Sequence, residues 1–145
     1  MSTFKWSSYN TADTAVASTS LNALANGSNA IGAAIDNTSG LYLYGDLAIQ
    51  LSSTVTPTGM PAIPVWLVPS LDGTNYATSG SSVSANLLVG TITAAASVTT
   101  SVLILRGIVL TPGKFKIQIQ NNLGVAFPAT NTSTCSLYRY YEQAV

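Results

Sequence analysis

The sequence predicts an all-β fold: an antiparallel β-sandwich, jelly-roll-like, of about eight strands behind an extended N-terminal arm. Two stretches alternate with period two, turn signals recur at intervals of roughly ten residues, and the segments between them are aliphatic or β-branched. The arm is assigned to residues 1–20 and the sandwich domain to residues 21–145.

The arm is built of Ser, Thr, Ala and Asn, with Phe4, Trp6 and Tyr9 spaced among them. Aromatics at that density suit a segment that orders on a neighbouring subunit, by strand addition, as well as they suit a frayed terminus. On the first view, deleting residues 1–10 weakens attachment and leaves the fold intact. Leu21 to Ile35 is Ala-rich, but Gly27, Gly32 and the Asn/Ser residues at 26, 28 and 29 argue for a turn between two short strands. Asp36 to Gly40 is a loop.

Leu41 to Ser52, LYLYGDLAIQLS, is the first clear strand. Leu41, Leu43, Leu47, Ile49 and Leu51 share one parity with Gly45, and the other parity is mostly polar or amphipathic. Burying those five side chains is worth at most roughly 8–15 kcal/mol, so a second layer must cover them. Gly45 is where this strand is free to bend or bulge.

Thr54 to Pro64 carries three prolines and a glycine and reads as an irregular connection. Val65–Val68 is a short strand stopped by Pro69, and Asp72-Gly73 is a turn. Thr78–Ser84 reads as a flexible polar loop. Ala85–Thr93 and Val98–Leu110 are strand candidates. In the latter both parities are apolar, so it is either covered on both faces or split at Arg106-Gly107. Thr111-Pro112-Gly113 turns the chain into Lys114–Gln120, with Phe115, Ile117 and Ile119 inward and Lys114, Lys116, Gln118 and Gln120 outward. Asn121–Gly124 and Asn131–Thr134 are turns, and Ser136–Glu142 is a last, tyrosine-rich strand.

Charge limits the function. Hydrophobic residues make up 47% of the chain and charged ones 7%, where an ordinary domain has about 25%, and the formal net charge is zero. Such a surface favours association with other protein. No basic stripe offers a footprint for nucleic acid. The most apolar run, Val102–Leu110, is far shorter than the roughly 20 residues a membrane helix needs. No apolar run follows Lys5, so no secretory signal is expected, and the sequons at Asn26, Asn37 and Asn131 read as chance matches in a chain rich in Asn, Ser and Thr.

The chain has no histidine, which removes Ser-His-Asp and Cys-His pairs and the usual zinc and copper sites. The acids Asp13, Asp36, Asp46, Asp72 and Glu142 are scattered, so no catalytic residue, metal site or cofactor is expected. Cys135 reads as a small core residue. The candidate interface residues are aromatic: Phe4, Trp6, Tyr9, Tyr42, Tyr44, Tyr138 and Tyr140. Tyr42 and Tyr44 share a strand face, as do Tyr138 and Tyr140, with Tyr141 opposite. Such pairs pack in sheets most often, but they also anchor partner proteins or stack sugars. Tyr42 and Tyr44 beside Asp46 and Gln50 form the cluster a carbohydrate-binding module would use.

Several motifs carry a resemblance. Leu21–Asn26, Ile35-Asp36-Asn37, Leu41-Tyr42 and Pro69–Tyr76 are followed by Arg106-Gly107-Ile108, Leu110–Lys116, Gln120–Gly124 and Tyr138–Glu142. Over roughly residues 20 to 143 the chain resembles small structural proteins of tailed bacteriophages, of the head decoration or cement type. These are turn and strand motifs, so they speak for a shared fold more than for a site. The resemblance implies a β-sandwich without catalysis, assembled in the host bacterial cytoplasm and bound at the capsid surface. Its partners would be the major capsid protein or other virion proteins, and it would act as a homo-oligomer, a trimer by preference. The alternative is a phage tail or adhesion module that binds carbohydrate.

Overall fold

In a computed structural model, residues 4–77, 87–97, 102–130 and 132–144 are described. Among them are eleven strands and one short helix. The first is β1 (Phe4–Trp6), followed by β2 (Asp13–Val16), α1 (Ser18–Leu21), β3 (Asn29–Ile31), β4 (Ile35–Asp36) and β5 (Tyr44–Gln50). Then come β6 (Ala62–Ser70), β7 (Leu88–Thr93), β8 (Val102–Val109), β9 (Lys114–Gln120), β10 (Thr134–Tyr140) and β11 (Glu142–Ala144).

Two antiparallel sheets face each other. One has the order β2-β10-β5-β8, and the other β3-β9-β6-β7 with β4 also on β9. β3 and β4 form one interrupted strand, because Ala30 pairs Ile119 and Ile35 pairs Phe115 on the same partner. Counted in chain order from β2, the sheets then read 1-8-3-6 and 2-7-4-5, the winding of a jelly roll. Between them lie Leu47, Ile49, Leu103, Ile108 and Leu137 from the first sheet and Ile63, Val65, Phe115, Ile117 and Ile119 from the second, all buried.

The N-terminal segment is not a separate arm. Thr14 pairs Ser136 in β10, and Ala15 and Val16 are fully buried. Ahead of β2, Asn10 N–H donates to the Arg139 carbonyl (3.0 Å) and Ser7 N–H to that of Tyr141 (2.8 Å), and Trp6 pairs Glu142. Residues 4–16 therefore run as one broken edge strand beside β10 and β11. The predicted two strands around Gly27 are one: α1 precedes the turn and β3 follows it. Gly27 does turn with positive φ, +83°.

Four further expectations change. The strand predicted at 41–52 begins at Tyr44. Leu41 and Leu43 are exposed, and Leu41 adopts φ +44°. Asn37 holds this loop: its Nδ2 donates to the Tyr42 carbonyl (2.9 Å) and its Oδ1 accepts from Tyr42 N–H (3.0 Å). Closing the loop outweighs the burial of two leucines.

β6 runs through both Pro64 and Pro69. Ala62 bonds toward Asn122, so by alternation Pro64 also faces the β9 side, where pairing starts only at Val65. Pro69 directs its carbonyl to Ala77, beyond the last β7 pair at Trp66. Each proline sits where no ladder needs its missing N–H.

β8 is neither covered on both faces nor split. Gly45 pairs Ile108 and Leu47 pairs Leu105, so Arg106 and Gly107 together oppose Asp46. Gly107 has φ +68°. The bulge shifts the parity, which puts Leu103 inward before it and Ile108 and Leu110 after it. Val102, Ile104 and Val109 stay exposed. Finally, Gln118 points away from the common core as expected but is buried. The polar loop expected at 78–84 lies outside the described residues.

Candidate functional site

The outer face of the β2-β10-β5-β8 sheet carries the aromatic residues. β5 presents Tyr44 and Asp46 there, β10 presents Tyr138 and Tyr140, and the bulge in β8 presents Arg106. Residues 6–9 cross the same face. Trp6 meets Tyr44 and Tyr140 edge-on, with centroids 5.6 and 5.4 Å apart. Tyr9 meets Tyr138 and Tyr140 in the same manner at 5.9 and 5.3 Å, and Tyr44 stacks on Tyr140 at 5.7 Å. Edge-to-face contacts of this kind fix ring orientation and add stability beyond buried area.

Asp46 is the polar centre of the cluster. Its Oδ2 accepts from the Tyr9 hydroxyl at 2.7 Å. Its Oδ1 accepts from Gly107 N–H at 2.9 Å and from the Tyr140 hydroxyl at 3.2 Å. Only 8% of the residue is exposed, so these bonds replace water. The bulge exists to present Gly107 N–H to this carboxylate; a regular ladder would spend it elsewhere. The hydrogen bond to Asp46 raises the Tyr9 pKa. Burial first, then the Asp46 charge, pushes Tyr140 up to about 12. Both phenols therefore remain donors at neutral pH.

The rings do not fill the face. A hollow of about 520 Å³ opens between Trp6, Tyr44, Tyr140 and Arg106, with Ser7 at its rim and Asp46 in its wall. A second, of about 240 Å³, lies on the other side of Tyr9, bounded by Tyr138, Ile104 and Ala48. Tyr9, Asp46 and Arg106 line both.

Five of the seven aromatic candidates thus meet: Trp6, Tyr9, Tyr44, Tyr138 and Tyr140. Phe4 opens β1 opposite Ala144. Tyr42 parts from Tyr44, because the loop at 37–42 precedes the strand. It packs against Tyr141 and beneath the Arg139 guanidinium, 4.9 Å from its ring centre. Arg139 is itself nearly buried. It forms a two-pronged pair with Asp13 (Nε–Oδ2 2.7 Å, Nη2–Oδ1 3.3 Å) and donates to the Asp36 carbonyl at 2.8 Å. This clamp ties β2, β4 and β10 together.

Asp46 was singled out by the sequence only beside Tyr42, Tyr44 and Gln50; neither Tyr42 nor Gln50 lines the hollows. Arg106 was visible as an interruption in an apolar run and as part of the Arg106-Gly107-Ile108 motif, and neither pointed to a site. Cys135 is buried, and burial pushes its thiol up to about 12, which leaves it unreactive in the folded protein. Among the described residues no group of three His, Cys, Asp or Glu side chains comes together, and no helix is long and apolar enough to cross a membrane. The site offers aromatic surfaces, one carboxylate and one guanidinium. No family model, curated protein or solved structure matches the chain.

Proposed function

We propose that the chain is a bacteriophage virion structural protein, a decoration or cement subunit that binds and stabilises the capsid shell through protein contacts and performs no catalysis. One observation carries the reading: among the described residues, β8 is an apolar strand at the edge of its sheet. Its outward side chains Val102 and Val109 are 58% and 70% exposed, and Arg106 is its one charge. A sheet edge usually carries Lys, Pro or a cover that discourages pairing. An apolar edge strand is suited to accept a strand from a neighbouring subunit.

The low charge of the chain supports the same reading, since apolar and backbone contacts persist in salt that screens ion pairs. So do Met60 and Leu71, which stand fully in solvent. The jelly roll is compatible with shell proteins and with lectins alike, so the fold alone does not decide. The partner is the major capsid protein or another virion protein, and the working unit is a homo-oligomer, a trimer by preference. Trp6 and Tyr9 pack on the sheet of their own chain and do not extend as an arm, so this reading puts the contact at the β8 edge.

The test has two stages. Phage particles purified from the cells that encode this chain contain it in fixed ratio to the capsid protein; its absence from them overturns the reading. Purified chain then co-sediments with shells that lack it, and Val102→Lys with Val109→Lys abolishes this without lowering the melting temperature. Undiminished binding by the double variant removes the β8 edge as the contact.

A further inference from the structure

We infer that the two hollows flanking Tyr9 form a binding site for a neutral oligosaccharide. The inference stands apart from the capsid reading, because the β8 positions assigned there, Val102 and Val109, line neither hollow.

The wall chemistry selects the ligand. Trp6 and Tyr9 are 58% and 56% exposed despite their edge-on contacts, which leaves aromatic surface for the C–H groups of a sugar. A carboxylate has about four lone-pair positions, and the three donors on Asp46 leave one, on Oδ2. Arg106 is exposed, and its fork of N–H groups has no hydrogen-bond partner among the described residues. An acceptor and a multiple donor that line the same hollows match hydroxyl pairs, which both give and take protons. Their charges oppose, so an anion meets Asp46 and a cation meets Arg106, and a neutral polyol meets neither penalty.

The geometry sets the length. Together the hollows fall within the volume range of small-molecule sites. Tyr9, Asp46 and Arg106 are shared by the two hollows, so the hollows adjoin along these three residues. Two adjacent rings, one on each side of Tyr9, use the same polar pair. The rings are already locked by mutual contacts and by the two phenol–carboxylate bonds, so binding orders little that is mobile.

The experiment follows the indole N–H signals of the full-length ¹⁵N-labelled chain. It has two tryptophans, Trp6 in the site and Trp66 on the opposite sheet. Maltohexaose, cellopentaose and chitotetraose are the neutral probes, and oligogalacturonate and chitosan tetramer are the charged controls. At least one neutral probe shifts the Trp6 signal and leaves Trp66 in place, with a Kd between about 10 µM and 10 mM. Arg106→Gln weakens this about tenfold, and Tyr9→Ala abolishes it. The proposal is overturned if no neutral probe moves Trp6 or if only charged probes do. Equal binding by both variants overturns it too. A Trp6 signal that moves with protein concentration alone, and that no sugar displaces, makes the hollow an interface between copies and equally overturns it.

Discussion

Asp46 and Gln118 hold matching places on opposite sheets. Each lies on an interior strand, each points away from the shared core, and each is nearly out of solvent. Asp46 accepts three hydrogen bonds. Gln118 has no partner for either amide atom among the described residues, and the indole nitrogen of Trp66, opposite it in register, has none either. A buried polar group without partners costs stability, whereas a satisfied one is roughly neutral and fixes its neighbours. The sheet bearing Asp46 spends a bulge, two phenols and a crossing segment on one side chain. Among the described residues, the sheet bearing Gln118 gives its amide no hydrogen bond. That contrast marks the first face as built and the second as merely tolerated.

Substitutions break or sharpen the contrast. The largest loss is expected at Arg139, whose nearly buried guanidinium makes four hydrogen bonds. Arg139→Met strands Asp13 and frees the carbonyl of Asp36, and costs about 3 kcal/mol in urea unfolding. Asp46→Ala comes next, at about 2 kcal/mol, because the Tyr140 hydroxyl and Gly107 N–H lose their acceptor. A loss below half of that would deny Asp46 its central place. Gln118→Leu goes the other way and stabilises by about 1 kcal/mol. If it destabilises instead, the amide has a partner and the two sheets are alike.

The smallest effect is at the surface. Asp72 accepts from the backbone N–H groups of Asn75 and Thr74 and from the Asn75 side chain, which holds its carboxyl well below the usual range. Thr38 does the same for Asp36 through its hydroxyl and its N–H. A depressed folded pKa contributes stability above the unfolded value, near 4, and loses it as pH falls toward the folded one. The melting temperature therefore declines below about pH 4, and Asp72→Ala makes that decline shallower. An unchanged slope would show that the turn does not contribute.

Local pattern was enough for some elements. Phe115, Ile117 and Ile119 alternate without interruption and lie in the core as read. The Asp72-Gly73 turn forms because its capping groups are neighbours in sequence. What failed depended on distant partners. Nothing near Leu41 announces that Asn37 will close a loop over it. The double apolar parity of 102–110 was visible, but a bulge resolves it only because Asp46 lies across from Gly107. The spacing of the tyrosines was readable, whereas their meeting with Trp6 and Tyr9 required residues 6–9 to pair beside 139–142. Gln118 alternates with its neighbours as a solvent-facing residue should, and no local rule tells that it is buried.

The placement of β10 has a consequence for the birth of the molecule. It sits between β2 and β5, and Thr14 meets Ser136 across most of the chain. A nascent polypeptide that has reached residue 130 holds both flanking partners and lacks the piece that joins them. The part of the core that Cys135 and Leu137 fill then waits, uncovered, for β10 to leave the ribosome. Such distant closure is slow, and a cell that makes this protein in quantity must keep those waiting surfaces from finding one another first.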